Sequence, residues 1–350
     1  MRRRISAIIM TLFMVLVSCN SGGVAEDPKT VYLTSIANLG KGFLDVFVTF
    51  GDMVAGAFGI RADTKKSDIG KYFNDIEKTM TTVKKRLQDE VAKNGNYVKV
   101  KEVVDKFVAD VLDKIAAGAK EAAKGATGDD KIRKCYFCWA WSQSADKDSV
   151  ISLVKGIKTI VDAVLKDKGD AGATKTGEDK KDIGNLFIND AGKDGSKREN
   201  IAKAAASIGS VTGADILQAI IKSKENPNAD SVNGIEKATD AAEIAIVPAV
   251  NKTEIKEDTA KKDAVIAAGI ALRAMAKDGK FAAKNEEKSA NAVNGAAASA
   301  VGKTLSTLII AIRNTVDSGL KTINEALATV KQEDKSAEAT NPAEATTSGQ

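Results

Sequence analysis

Cys19 is the residue of this chain whose position most clearly predicts chemistry. It ends the tetrapeptide L-V-S-C, which follows an apolar run at 5–17 and three arginines at 2–4. The run is too short for a membrane-spanning helix, which needs about 20 residues, and is typical of a secretory signal peptide. L-V-S-C resembles a bacterial lipobox, which predicts cleavage between Ser18 and Cys19 and a cysteine carrying N-acyl and S-diacylglycerol groups. The alternative is an ordinary signal peptide with a chance cysteine.

A second pair of thiols, Cys135 and Cys138, has C-x-x-C spacing. One such pair supplies half of a zinc site, and the sequence contains no second pair. A thioredoxin-like role would need a βαβ pattern around it, which the flanking residues do not have. A local disulfide is compatible with a protein outside the cytoplasm. We therefore predict no metal site.

The residues around that pair differ from their surroundings. Segment 133–141 holds both tryptophans and both cysteines beyond Cys19, between flanks rich in Gly, Ala and Asp. When plausible codons for R-K-C-Y-F-C-W are read one base later, they give G-N-A-T-S-A-G, a composition typical of a loop. Our hypothesis is a compensated frameshift within 131–144, either natural or from sequencing error.

Residues 297–304, A-A-S-A-V-G-K-T, match a loose P-loop pattern through Gly302, Lys303 and Thr304. A P-loop requires a strand, a glycine-rich turn and then a helix. Here an apolar stripe with helical spacing continues through the motif, so the backbone N–H groups are already used within a helix. The pattern predicts no nucleotide-binding site.

The sequence contains no histidine. This excludes Ser-His-Asp and Cys-His nucleophile arrangements, zinc sites that use histidine, and imidazole acid–base chemistry. No catalytic residue and no cofactor is predicted, and the chain is interpreted as a protein that is not an enzyme.

Composition points to a helical protein that is close to neutral. The 350 residues are 43% hydrophobic and 5% aromatic, with only 4 prolines, and alanine, lysine, glutamate and leucine favour helix. The formal charge is +5, and removal of residues 1–18 leaves 49 basic and 47 acidic residues, near +2. Because the two signs are interleaved, they indicate solvated helix faces and no nucleic-acid partner.

Apolar residues recur every three or four positions in several segments, as on one face of a helix. We expect Ser67 to cap one of these helices and Asn94-Gly95 to end it. The other helices are expected at 31–60, from about 100 to Gly125, at 148–168, 215–223, 264–283 and 289–331. Gly279 is expected to end the helix at 264–283, and the last helix would be about 64 Å long.

The predicted fold is all-α: an elongated bundle in which long N- and C-terminal helices pack together and a loop-rich middle lies at the distal end. The predicted division is a lipoprotein signal peptide (1–18), a lipidated tether (19–30), an N-terminal helical region (31–130), a loop-rich variable region (131–260), a helix (261–285), a long C-terminal helix (286–331) and a disordered tail (332–350).

Two longer stretches carry a family resemblance together with the lipobox. They are V-Y-L-T-S-I-A-N-L-G-K-G-F-L-D-V-F at 31–47 and K-K-D-A-V-I-A-A-G-I-A-L-R-A-M-A-K-D-G-K-F-A-A-K at 261–284. The chain resembles the variable large proteins of relapsing-fever Borrelia, which are similar to the Lyme-disease variable surface antigen. The second stretch resembles that antigen's invariable region. The resemblance covers essentially the whole chain, except for 131–144, where the family would carry a loop of small residues.

The resemblance implies a lipid-anchored surface protein of the outer membrane, expressed from one of many alternative gene copies to evade host antibody. The expected partners are membrane lipid, through the acyl chains on Cys19, and host antibodies. The alternative is an adhesin that binds a host receptor or glycosaminoglycan, although a nearly neutral chain disfavours strong binding to polyanions. The sequence does not define an oligomeric state.

Overall fold

The structure is a computed structural model that describes residues 28–55, 60–95, 97–132, 142–177, 179–188, 198–284 and 286–331. These residues form ten α-helices and no strand, which confirms the all-α prediction. The helices are α1 Pro28–Ala55, α2 Lys66–Lys93, α3 Val98–Phe107, α4 Asp113–Gly125, α5 Lys147–Val164, α6 Arg198–Ser210, α7 Gly213–Ile221, α8 Ala241–Ile246, α9 Asp263–Met275 and α10 Glu287–Ala328.

Helix α2 has the predicted apolar stripe, and the whole stripe is buried. The helix ends where expected, because Asn94 follows its last residue and Gly95 adopts a φ of 104°. The predicted cap at Ser67 is wrong. Helix α2 begins at Lys66, and the Lys65 N–H donates to the Asp68 carboxylate (2.9 Å), so an acidic side chain within the first turn closes this end.

The third predicted helix ends at Gly125 as expected, with one irregularity. A π-helix at Val108–Leu112 joins α3 to α4 without interrupting the run. Helix α4 then packs closely on α5, which ends at Val164, one turn before the predicted Lys168. It stops there because Lys166 adopts a left-handed φ of 51° and its N–H returns to the Val161 carbonyl.

The long C-terminal helix is confirmed. Helix α10 has 42 residues, about 63 Å at 1.5 Å per residue. It packs against α1, so the terminal helices lie together as predicted. Only one face of α1 is buried: Phe43 and Phe50 are in the core, whereas Leu44 and Val48 are exposed.

The stretch at 264–283 contains a shorter helix than expected. Every residue of α9 is buried, which confirms its structural role. The helix ends at Met275, so the prediction that Gly279 ends it is wrong. Ala276 is already extended, and the Lys66 side chain of α2 donates to the carbonyls of Arg273, in the last turn of α9, and of Ala276. Phe281 is buried against Phe187, as expected.

The middle of the chain contains more core than its polar composition indicates. Helices α6, α7 and α8 lie there, together with 3₁₀ helices at Lys181–Phe187 and Gly234–Lys237. Their apolar side chains join the same hydrophobic cluster as α9 and α10. Loops and short helices in this region are therefore packed onto the bundle.

Candidate functional surface

The predicted lipidation site lies outside the described residues, as do Ser18, Cys135 and Cys138. The structure nevertheless shows where the described chain starts and ends. The Tyr32 hydroxyl donates to the Val330 carbonyl, and the Tyr32 ring packs edge-on against Tyr97 at 5.9 Å. The N-terminal part of α1 and the residues just after α10 therefore meet at one end of the bundle, here called the proximal end.

Few residues separate Cys19 from the proximal end. Helix α1 begins at Pro28, and the nine intervening steps reach at most about 30 Å when fully extended. A lipid on Cys19 would hold the bundle with its proximal end toward the membrane.

The connections of the middle region lie far from that end. The Lys303 side chain contacts residues 208–211, which join α6 to α7, and Gly213 lies against Thr307. From Lys303 to the end of α10 is 25 residues, about 38 Å of helix. We call residues 126–132, 142–146, 166–177, 179–180, 208–212, 245–262 and 276–284 the distal connections.

The P-loop-like residues have structural roles in α10. Lys303 donates to the carbonyls of Ile208 (2.7 Å), Gly209 (3.0 Å) and Val211 (2.7 Å), at the C-terminal end of α6. The Thr304 hydroxyl donates to the Ala300 carbonyl within the helix. Lys303 therefore binds three carbonyls from within a continuous helix, which differs from the strand, turn and helix of a P-loop.

Arg273 is the largest fully buried side chain in the described part of the protein. Its guanidinium donates to the carbonyls of Lys280 (2.9 Å), Ala245 (2.9 Å) and Val247 (3.1 Å), and to the Ser142 hydroxyl (2.7 Å). The Phe187 ring centroid is 5.2 Å from its carbon Cζ. Burial lowers the pKa of Arg273 to about 9, so the side chain remains charged at neutral pH.

Lys66 is buried beside Arg273 and also binds carbonyl groups. Its ammonium donates to Arg273 (3.2 Å), Gly279 (2.9 Å) and Ala276, all at or just beyond the end of α9. The last carbonyls of a helix carry partial negative charge, which favours a cation there. Burial, assisted by the nearby Arg273 charge, lowers the pKa of Lys66 to about 7.

Two buried carboxylates hold the backbone of other distal connections. Asp263, at the start of α9, accepts from the N–H groups of Lys175 (2.7 Å) and Thr176 (2.8 Å), and pairs with Lys180 at 3.1 Å. Asp215 in α7 accepts from the Asp170 N–H at 2.8 Å. Burial alone would raise the pKa of Asp263, but these N–H donors bind the ionised form and lower it to about 2.

These buried ionic residues were missed by the sequence reasoning, which interpreted the interleaved charges as solvated faces. Arg273 had a usable signal, because it is the single charge between residues 264 and 276 in an otherwise apolar run. Lys66 and Asp263 had none, since each lies among other charged residues.

The described residues contain no group of three or more acidic or cysteine side chains that could hold a metal ion. Helix α10 is long and apolar enough to cross a membrane by length and composition, and α6 with α7 would pass the same test as a bent pair. More than half of the apolar window of α10 is buried inside the protein, as in the core helix of a bundle.

Comparison with known proteins gives a consistent result along the whole chain. A family model described as Borrelia lipoprotein matches residues 43–327. The chain is 74% identical to Variable large protein 17 of Borrelia hermsii, over 100% of this chain and 99% of the relative. It is 43% identical to Variable large protein 19 of Borrelia hermsii, over 93% of this chain and 94% of the relative.

A solved structure gives the same relationship for the fold. The crystal structure of Lyme disease variable surface antigen VlsE of Borrelia burgdorferi matches with a TM-score of 0.73 and 35% identity. The match covers 84% of this chain and 98% of that chain. The similarity of fold therefore extends over most of this chain.

Proposed function

The chain belongs to the Borrelia lipoprotein family, and from this we propose that it is an antigenically variable surface lipoprotein, one of many alternative coat proteins that allow the cell to evade host antibody. The observation that carries this function is the similarity of sequence and fold to variable large proteins and to a variable surface antigen over nearly the whole chain.

The arrangement of the bundle supports a displayed coat protein. Both ends of the described chain lie at the proximal end, near the expected anchor, and the turn between α6 and α7 lies about 38 Å away along α10. A protein held in this way presents its connections outward, where antibodies would meet them first. The coat role needs no catalysis, and we propose that the protein is not an enzyme.

Attachment through Cys19 to the outer membrane is the second part of the proposal. One acyl chain gives only marginal membrane binding, with a constant of about 10⁴ M⁻¹, so stable attachment needs the several chains of a bacterial lipoprotein. Cys19→Ala is expected to leave the precursor uncleaved and without palmitate label. The matched control Cys135→Ser/Cys138→Ser should be cleaved and labelled normally. Palmitate incorporation in Cys19→Ala would refute this part.

The adhesin alternative has less support. The relatives reported above are named for variability or for surface antigenicity, and none of them is named as an adhesin. Salt-sensitive binding of the purified protein to heparin would favour it, because binding to a polyanion weakens as salt rises.

Surface display can be tested on intact cells. Mild protease treatment of cells expressing this chain should remove its signal while a periplasmic protein survives. Antibodies raised against the folded protein should bind these cells but not cells expressing Variable large protein 19, since 43% identity leaves many exposed side chains different. Protection from protease, or equal binding to both cell types, would contradict the proposed function.

A further inference from the structure

Five ionic side chains described above, four of them buried, share one feature: they bind the distal connections mainly through main-chain atoms. Lys66 and Lys303 donate only to backbone carbonyls, and Arg273 makes three of its four hydrogen bonds to carbonyls. Asp263 and Asp215 accept from backbone N–H groups. We call these five residues the holding set.

We propose that the holding set fixes the distal connections by their backbone, so that the exposed side chains of those connections can be replaced without loss of docking. Every non-proline residue offers the same carbonyl and N–H groups. A clamp that recognises only these groups does not depend on which side chain is present. This inference rests on the proposed coat function, for which replaceable surface residues are the useful property.

Asp263 shows how one clamp works. The two N–H donors come from consecutive residues, Lys175 and Thr176, and converge on one carboxylate oxygen. The Thr176 hydroxyl adds a hydrogen bond to the other oxygen at 2.8 Å. The buried Lys180 ammonium, from the same connection, pairs with that other oxygen at 3.1 Å. The hydroxyl and the ammonium depend on the identity of the connection residue, whereas the two backbone donors do not.

Arg273 joins three separate connections at one buried point. Its carbonyl partners lie just after α9, at Lys280, and at the end of α8, at Ala245 and Val247. Backbone pairing between Gln143 and Lys280 ties a third connection to the same place. Backbone hydrogen bonds therefore hold both flanks of segment 133–141. Gln143 pairs with Lys280 on one side, and the Ile132 N–H donates to the Thr64 carbonyl on the other.

Lys303 holds the turn between α6 and α7 from the neighbouring α10. Because Lys303 is only partly buried, its replacement does not leave a cavity in the core. The neighbours of its target carbonyls supply a control: Gly209 has open space where a Cβ would lie, and the Ser210 hydroxyl bonds only within its own turn.

The test compares each holding residue with side chains of the connection that it holds, in the full chain. Hydrogen exchange, measured by mass spectrometry, should be faster by about tenfold or more at residues 174–177 in Asp263→Asn, because the amide replaces a charged acceptor. Thr176→Val should change the same peptide by less than about threefold. Exchange in α10 reports global unfolding and follows the loss of unfolding free energy in each variant, so the acceleration at residues 174–177 in Asp263→Asn should exceed the acceleration in α10.

A second pair of variants tests the proposal even if Asp263→Asn does not fold. Lys303→Met should speed exchange in residues 206–212 by about tenfold, whereas Gly209→Ala/Ser210→Ala should leave it nearly unchanged. The proposal is wrong if either control variant speeds exchange as much as the holding-set variant with which it is paired. It is also wrong if neither Asp263→Asn nor Lys303→Met speeds exchange in the connection that it holds. These outcomes are independent of display on cells, so failure here is distinguishable from failure of the coat function.

Discussion

At the scale of single residues, Asp263 links the packing of a connection to pH. Its carboxylate has a pKa of about 2 in the folded protein, below the ordinary value of 3.8. A carboxylate with a lowered folded-state pKa stabilises the fold above its unfolded pKa and loses that contribution as pH falls toward the folded value. The contribution of Asp263 is therefore complete above about pH 5 and lost between about pH 4 and pH 2.

This gives a prediction for acid stability. The difference in unfolding free energy between the natural protein and Asp263→Asn should be about 2 kcal/mol smaller at pH 2 than at pH 6, since one pKa unit corresponds to about 1.36 kcal/mol. Urea titrations of both proteins at the two pH values measure it. The other acids titrate equally in both proteins and cancel. If the difference in unfolding free energy were the same at both pH values, ionisation of Asp263 would not contribute to the pH dependence of stability.

Arg273 gives a second prediction at the residue scale. Arg273→Met removes a buried cation and leaves the carbonyls of Ala245, Val247 and Lys280 without this donor, so we expect a loss of more than about 3 kcal/mol. Arg313→Met is the matched control, because Arg313 is exposed and pairs with Asp317 at 3.7 Å. It should change stability by less than about 1 kcal/mol. Equal losses in the two variants, measured by urea unfolding, would contradict the assigned role.

At the scale of helices, glycine sets how closely α4 and α5 approach. A Cβ on Gly156 would lie 2.3 Å from the Ala122 nitrogen and 2.5 Å from the Gly118 carbonyl oxygen, both of them backbone atoms. These helices touch backbone to backbone, so any side chain there must push them apart. Gly302 in α10 has open space instead.

The same substitution should therefore have opposite signs at the two positions. We expect Gly156→Ala to destabilise by about 1–3 kcal/mol through overpacking. Gly302→Ala should stabilise by up to about 1 kcal/mol, because alanine loses less backbone entropy in a helix. Thermal unfolding of both variants measures the pair. A stabilising Gly156→Ala would mean that the two helices are farther apart than the structure shows.

Helix α9 is buried on all sides. Ala271 is fully inaccessible, so Ala271→Asp would bury a carboxylate without a partner and should cost several kcal/mol. Ala202 is exposed on α6, and Ala202→Asp should stay within about 0.5 kcal/mol of the natural protein. Denaturant unfolding measures both, and a neutral Ala271→Asp would place that face of α9 in solvent.

At the scale of the whole molecule, the bundle separates a buried frame from displayed connections. Helices α1 and α10 bring the two ends of the described chain together, and α9 lies inside the hydrophobic cluster shared by the middle helices. Antibodies raised against peptide 264–283 should therefore bind denatured protein at least about tenfold better than intact cells, since most of this segment is buried. Equal binding to both would mean that the segment is exposed.

Much of this protein is readable from its sequence, because helix periodicity and capping are local signals. The stripe of α2, the end of that helix at Asn94-Gly95 and the length of α10 all follow from spacing and composition within one segment. The absence of histidine, and the helical stripe that continues through the P-loop-like residues 297–304, could likewise be read from residue identities alone. Similarity to variable surface antigens followed from two continuous stretches, at 31–47 and 261–284.

Only the tertiary structure decided which charges are buried and what they hold. Lys66 and Arg273 meet although 207 residues separate them, and Asp263 holds a connection 87 residues earlier in the chain. Contacts of this kind leave no periodic pattern, since one charged residue in a sequence looks the same whether it faces water or a carbonyl group. The end of α9 at Met275 is a further case, because the carbonyls around that end, those of Arg273, Ala276 and Gly279, bind Lys66, a residue of another helix about 200 residues earlier in the chain.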